Sequence, residues 1–378
     1  MNLYRSCLRP ALFRLDPERV HHGTLTLCRR LAGSTLARRT VSAIYAHDDS
    51  RLTTTVAGID FPSPVGLAGG FDKDGIAAGF LPALGFGSLE IGSVSALPSV
   101  GNTFRPRLFR LPADEGLLVA YGVPSDGAAV VAARLSGAEL RVPLGVSLVE
   151  TNTGHLAPVD HVIEELAEAA GHFVAVADYL ALNLNCPNSA GGFSHFDTPD
   201  YLKALLDRFS AIGPTPPIFL KLTPPPDAGA MERILAAAEP FAFVKGFILN
   251  THAPRPYAYL STPQENLATM RGTLTGARLR EPVREALRRW YRSIDRSRHV
   301  LIAVGGIGSA EDAYQAIRLG ASLVQVYTAM IYAGPGLVRD IKGGLARLLE
   351  RDGFKSVAEA VGTGNTVHPE ASVRHALT

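Results

Sequence analysis

The chain has 378 residues and a mass of 40.2 kDa, long enough to bury a sizeable core and too long for a disulfide-stapled mini-protein. Its 47% hydrophobic and 19% charged residues, with 37 glycines and 26 prolines, are those of a loop-rich globular chain and exclude a disordered or coiled-coil scaffold. A net charge of only +2 argues against nucleic acid and for a small-molecule partner. Three scattered cysteines, Cys7, Cys28 and Cys186, can build neither a disulfide framework nor a four-cysteine metal site, so no metal is expected and a reducing compartment is. No run of 18 apolar residues and no signal-peptide pattern occurs, so no membrane span is expected.

In chain order, the first forty residues stand apart, with eight arginines against Asp16 and Glu18 giving a local charge of +6. Tyr4, Leu8, Ala11, Leu12 and Leu15 share one helical face, with Arg5, Arg9 and Arg14 off it and Pro10 straining it. Asp16-Pro17 then starts a second helix over 20–31, the aspartate as cap and the proline in the first turn. Two short helices are expected, either an arm packed on the body or a basic amphipathic hairpin lying on a membrane, and the pattern weights these equally.

From residue 60, short apolar runs alternate with helical stretches, the mark of repeated βα units. Eight strands are expected, at 64–68, 88–92, 144–149, 179–185, 218–223, 246–250, 300–304 and 323–327. Helices lie between them, one carrying Val162, Leu166, Ala169 and Phe173, another over 309–320 with a Ser-x-x-Asp cap and a closing glycine. Eight units over roughly 300 residues predict an α/β (β/α)8 TIM barrel, with a doubly wound sheet as runner-up. Residues 252–276 read as an active-site loop.

In a barrel the chemistry sits just past the strands. After the fourth comes Asn183-Leu184-Asn185-Cys186-Pro187-Asn188, three amides around one thiol, suited to a substrate with amide edges or a carboxylate. A lone asparagine more often ties a loop together; the cluster with Cys186 shifts the weight to function. Cys186 has three readings, an inert thiol, a nucleophile or a general base, and the base role fits best where no histidine partners it nearby. Lys221, set within an apolar strand, is costly unless it meets an anion or an electron-rich ring, whereas Lys73 could simply pair with Asp72 and Asp74. Gly305-Gly306-Ile307-Gly308-Ser309 before a helix, with Gln325-Val326-Tyr327-Thr328 at the eighth strand, reads as the phosphate site of a barrel. Together these features suggest flavin mononucleotide (FMN) and a small polar substrate.

At this point the residues resemble a known family, the dihydroorotate dehydrogenases, in the quinone-dependent, membrane-associated class. The resemblance spans nearly the whole chain and is carried by Leu15-Asp16-Pro17-Glu18-Arg19, Gly66-Leu67-Ala68-Gly69, Asp72-Lys73-Asp74-Gly75 and Gly85-Phe86-Gly87-Ser88-Leu89-Glu90-Ile91-Gly92. Pro106-Arg107-Leu108-Phe109-Arg110, Gly305-Gly306-Ile307 and Gly320-Ala321-Ser322-Leu323-Val324-Gln325-Val326-Tyr327 carry it further.

The resemblance implies an N-terminal arm over 1–45 on an FMN barrel over 46–378. It places the phosphate on Gly305, Gly306, Tyr327 and Thr328 and the rest of the cofactor by Ala68, Gly69, Ser93, Lys221 and Gly276. Lys73, Asn183, Asn188, Asn250 and Thr251 would hold substrate; Cys186 and Lys221 would be catalytic, Cys186 taking a proton from C5 as C6 gives hydride. His21 and Arg110 would stand near the inner end of a quinone tunnel, on a peripheral protein of the cytoplasmic membrane face. The chain departs from the pattern in three ways: a cysteine base as in the soluble class, Val119 where a substrate-binding asparagine is expected, and Ser147 for a further asparagine together with Leu249 for a small polar residue. The alternatives are a diverged paralogue with the same flavin chemistry on another amide- or carboxylate-bearing substrate, and a non-catalytic flavin-binding barrel.

Overall fold

The computed structural model describes residues 3–185, 195–213, 215–225, 227–251, 255 and 257–365. The arginine-rich start is helical: a π-turn Tyr4–Leu8 runs into Arg9–Leu12, followed by Pro17–Ala32 and Thr35–Tyr45. Asp16 caps Pro17–Ala32 as expected, accepting from the Arg19 amide at 2.8 Å. Pro10 lies in the first turn of Arg9–Leu12, where its missing N–H is no loss, so the expected break is a change of helix type. The third helix, Thr35–Tyr45, goes beyond the two expected; its cap is Ser34, which accepts from the Ala37 amide. Along the arm Leu25 and Cys28 are buried, while Leu3, Leu8, Leu15, Leu27, Leu36 and Ile44 are at least half exposed.

The strands are β1 Thr54–Val56, β2 Ile59–Phe61, β3 Val65–Leu67, β4 Ser88–Val94, β5 Leu108–Leu111, β6 Gly116–Val119 and β7 Leu144–Leu148. They continue with β8 Tyr179–Asn183, β9 Ile218–Leu222, β10 Val244–Asn250, β11 Thr273–Gly276, β12 Val300–Val304 and β13 Ala321–Val326. Strands β3, β4, β7, β8, β9, β10, β12 and β13 close in that order into a parallel barrel, each at one of the eight expected places. The ring shuts where β13 pairs with β3, Val324 opposite Val65, which rules out the open doubly wound sheet. Burial on both faces explains why these strands read as unbroken apolar runs. Between them, Val159–Gly171 and Ala310–Arg318 are the two helices singled out, the second capped by Ser309, which accepts from the Asp312 amide at 3.1 Å.

The barrel interior is filled by Tyr179, Ala181, Phe219, Ile248, Ile302 and Leu323, and plugged from below by Val56 and Phe61 of the β1–β2 hairpin. That hairpin turns on Ala57 and Gly58, both at positive φ (54° and 80°), the geometry that matches the twist of two tightly joined strands. Residues 252–276 are not a bare loop in their described part: they hold the helix Gln264–Thr269 and β11. Strand β11 pairs with β6, and β6 with β5, in an antiparallel sheet over the barrel mouth. Its four residues alternate Thr-Leu-Thr-Gly, too short a run to stand out, and the ladder that stabilises it comes from a strand distant in sequence.

Candidate active site

The polar residues at the strand ends converge on one cavity of about 580 Å³. Ala68 and Gly69 after β3, Ser93 in β4, Asn183 in β8, Lys221 in β9, Asn250 and Thr251 at β10, Gly276 in β11, Gly305 and Gly306 after β12, and Tyr327 and Thr328 after β13 all line it, as does Lys73. Cys186 and Asn188 lie outside the described residues.

At the cavity floor Lys221 belongs to an ion pair whose other member, Glu90, lies behind the lining. Lys221 Nζ donates to Glu90 Oε1 at 2.7 Å, and the other carboxylate oxygen accepts from Gln325 Nε2 at 2.7 Å and from the Tyr179 hydroxyl at 3.4 Å. Glu90 is wholly buried and Lys221 nearly so, so each charge is compensated inside the barrel. Gly69 lies directly over the pair: a Cβ there would stand 2.6 Å from Glu90 Oε1 and 3.3 Å from Lys221 Nζ. A glutamate inside an apolar strand is the same signal that singled out Lys221, and it could have been read the same way.

At one end the backbone makes a cradle. Gly305 and Gly306 take positive φ (106° and 71°), and a Cβ on Gly306 would meet the backbone of Arg280 at 2.6 Å, so only glycine lets the loop lie this close to the Arg280–Ser293 helix. Thr328 Oγ1 sits 2.9 Å from Thr275 Oγ1 on the opposite wall. Asp312, whose charge would repel an anion here, is held by Arg280 Nη2 at 3.1 Å and by Arg284 Nη2 at 3.3 Å.

The other end is amide-rich. Asn183 Nδ2 donates to Ser93 Oγ at 2.8 Å, and Ser93 Oγ lies 2.8 Å from Ser147 Oγ. Lys73 is not taken up by its neighbouring acids: Asp72 accepts from the Ile76 and Ala77 amides, and Asp74 from the Asp126 amide. Lys73 Nζ instead donates to the Gly70 carbonyl at 2.7 Å and rests 4.3 Å from the Tyr121 ring centre. Burial pushes its pKa down to about 8. Val119 lines the same end, and the β6–β11 register sets Thr273, also on the wall, directly across from it. Above the mouth, buried Asp114 ties down part of the connection between β10 and β11 by accepting from the Ser261 and Thr262 amides, and it also accepts from Arg278.

Neither His21 nor Arg110 lines the cavity. His21 stands edge-on to Phe71 at 5.2 Å, and Phe71 edge-on to Tyr327 at 6.1 Å, so the arm reaches the cavity wall through a row of rings. Burial, with Lys73 and His22 nearby, drives the His21 pKa down to about 3 and keeps it neutral. Arg110 holds the arm by donating to the Leu15 carbonyl at 2.8 Å, and Arg107 pairs with Glu18. Arg5, from the first turn, itself lines the cavity.

Asn183 Oδ1, Thr251 Oγ1 and Gln325 Oε1 are buried with no hydrogen-bond partner among the described residues, and all three residues line the cavity. Such atoms call for a bound molecule with polar edges, and the glycine cradle for one with an anionic tail, so the residues present fit a flavin.

Comparison with known proteins agrees. The model of the dihydroorotate dehydrogenase family matches residues 51–349. A dihydroorotate dehydrogenase (quinone) of Roseiflexus sp. (strain RS-1) is 38% identical over 360 residues, covering 94% of this chain and 97% of that one. One from Natronomonas pharaonis is 36% identical over 366 residues, covering 96% and 99%. Among solved structures, the DHODH of Eimeria tenella in complex with ferulenol superposes with a TM-score of 0.79 at 28% identity, over 92% of this chain and 95% of that one. The chain belongs to the dihydroorotate dehydrogenase family, in its quinone class, and is a flavin-dependent oxidoreductase acting on a CH–CH group.

Proposed function

We propose that the protein oxidises dihydroorotate to orotate in pyrimidine biosynthesis, with FMN as its cofactor and a quinone as electron acceptor. The observation that carries this reading is that one cavity joins the Gly305–Gly306 cradle to the lysine and amide cluster of Lys73, Asn183, Asn250 and Thr251. FMN, when bound, supplies the acceptor for the hydride that leaves C6 of the substrate and passes the electrons on to the quinone. Gly305, Gly306, Tyr327 and Thr328 hold its phosphate, where backbone N–H groups and a helix start favour an anion, and Ala68, Gly69, Ser93, Lys221 and Gly276 hold the rest. Lys221, fixed by Glu90, keeps a positive charge on the cavity floor.

Lys73 meets the substrate carboxylate, while Asn183, Asn188, Asn250 and Thr251 take the ring amides. Cys186, as thiolate, accepts the C5 proton, so the C5–C6 double bond forms as one proton and one hydride depart. Residues 1–45 are the arm and 46–378 the barrel. The arm's exposed leucines and its +6 charge suit an anionic membrane surface from which a quinone enters past His21 and Arg110. Among the described residues no helix is long and apolar enough to cross a membrane.

A second reading, a paralogue acting on a substrate with an apolar edge, is favoured by Val119 alone. The test is to identify the released cofactor by mass and to assay dihydroorotate-driven reduction of a long-chain quinone in vesicles. FMN with turnover supports the reading, whereas a different cofactor, or FMN without turnover on dihydroorotate, overturns it.

A further inference from the structure

Behind the amide end of the cavity stands a hydroxyl that does not line it. Ser147 is wholly buried in β7 and does not line the cavity, yet its Oγ lies 2.8 Å from Ser93 Oγ, which in turn accepts from Asn183 Nδ2 at 2.8 Å. The three residues come from adjacent strands, β4, β7 and β8. A serine hydroxyl has one proton and two lone pairs, and a side-chain amide has a donor end and an acceptor end. Either hydroxyl can donate in the Ser93–Ser147 bond; with Ser93 as the donor, only lone pairs remain toward Asn183, and the amide must turn its NH2 to Ser93, the orientation observed. Its Oδ1 is then the end left over, and that atom is buried without a partner among the described residues.

We propose that Ser147 is a positioning residue: through Ser93 it fixes Asn183 with its carbonyl oxygen toward the ligand, so that the site selects a ring N–H at that point. Without the Ser147 hydroxyl, Ser93 can donate its proton to Asn183, the amide can turn over, and the selection for N–H is lost. This inference rests on the cyclic-amide substrate proposed above and names how that substrate is chosen.

The experiment compares native protein, Ser147→Ala and Ser147→Thr, each loaded with flavin. The probes are orotate and its N1-methyl and N3-methyl forms, titrated by the change in the visible flavin spectrum. Native protein and Ser147→Thr should discriminate against one of the two methylated forms by about 30-fold, within the range for leaving a buried acceptor unsatisfied. Ser147→Ala should bind orotate about tenfold more weakly and lose most of that discrimination, with flavin content and melting temperature unchanged. Native discrimination retained in Ser147→Ala overturns the inference. A native protein whose spectrum responds to none of the three ligands refutes the substrate reading instead. Crystal structures of the native and alanine forms then decide the relay: an Asn183 amide turned over in the variant supports it, and the same orientation in both overturns it.

Discussion

Replacing Glu90 by glutamine keeps the shape of the cavity floor and removes one charge. In the native fold the carboxylate receives Lys221, Gln325 and Tyr179, with Glu90 fully buried and Lys221 4% exposed. After Glu90→Gln the Lys221 ammonium has no counter-charge and faces a neutral amide in the same buried space. Removing one partner of a buried pair costs about 3–5 kcal/mol, because the other charge is stranded. A chain of this size has an unfolding entropy of about 0.8 kcal/mol per kelvin at roughly 2.1 cal/mol per kelvin per residue, so the melting temperature should fall by about 4–6 °C. The double variant Glu90→Gln with Lys221→Met removes both charges while leaving an amide oxygen to accept from Gln325 and Tyr179, and should recover most of the loss, since the stranded ammonium is gone. Differential scanning calorimetry on the cofactor-free protein reads this without reference to turnover. A Glu90→Gln protein that melts within 1 °C of native, or a double variant no more stable than the single one, refutes the claim that Glu90 compensates Lys221.

Lys73 should give orotate binding an alkaline limb: only the ammonium attracts the carboxylate, so affinity is level below pH about 8 and falls about tenfold per unit above it. Calorimetric titration across pH 6–10 checks this, and Lys73→Met should flatten the profile; an unchanged limb in that variant assigns it to another group. Val119→Asn adds an amide to an apolar wall and should tighten orotate by about 5- to 150-fold. A tight native affinity that asparagine does not improve means the site is already adapted to orotate, and the paralogue reading loses its support. Leu27→Glu and Leu36→Glu, at arm positions 56% and 76% exposed, should lower vesicle binding and long-chain quinone reduction together by about tenfold or more while soluble acceptors are reduced as before. Loss of both activities would show that the arm is packing for the barrel rather than a membrane surface.

The barrel was legible because its strands are buried on both faces and read as separate apolar runs, and the helix starts because Asp16 and Ser309 are caps with an unambiguous local signal. The Thr54–Phe61 hairpin and the β5–β6–β11 sheet were not, since strands of three or four residues gain their stability from pairings that no window of sequence contains. At the site, Lys221 and the glycine pair stood out as residue types that are costly elsewhere. Glu90 carried the same signal but sat inside a stretch that read as a motif, and its partnership with Gln325 and Tyr179 joins three strands that only barrel closure brings together. In the sequence Ser147 is a simple loss of an asparagine, and its bond to Ser93 joins strands β4 and β7, which only folding brings side by side.

The most direct measurement mixes the purified flavoprotein with dihydroorotate in the absence of oxygen and quinone and follows the visible flavin band. Complete bleaching within a single turnover is expected for the native protein, with the rate about 10²- to 10⁴-fold lower in Cys186→Ala, the range for removing a positioned base, and the flavin content unchanged. A native flavin band that stays oxidised under excess dihydroorotate, while it bleaches with dithionite, would contradict the assignment.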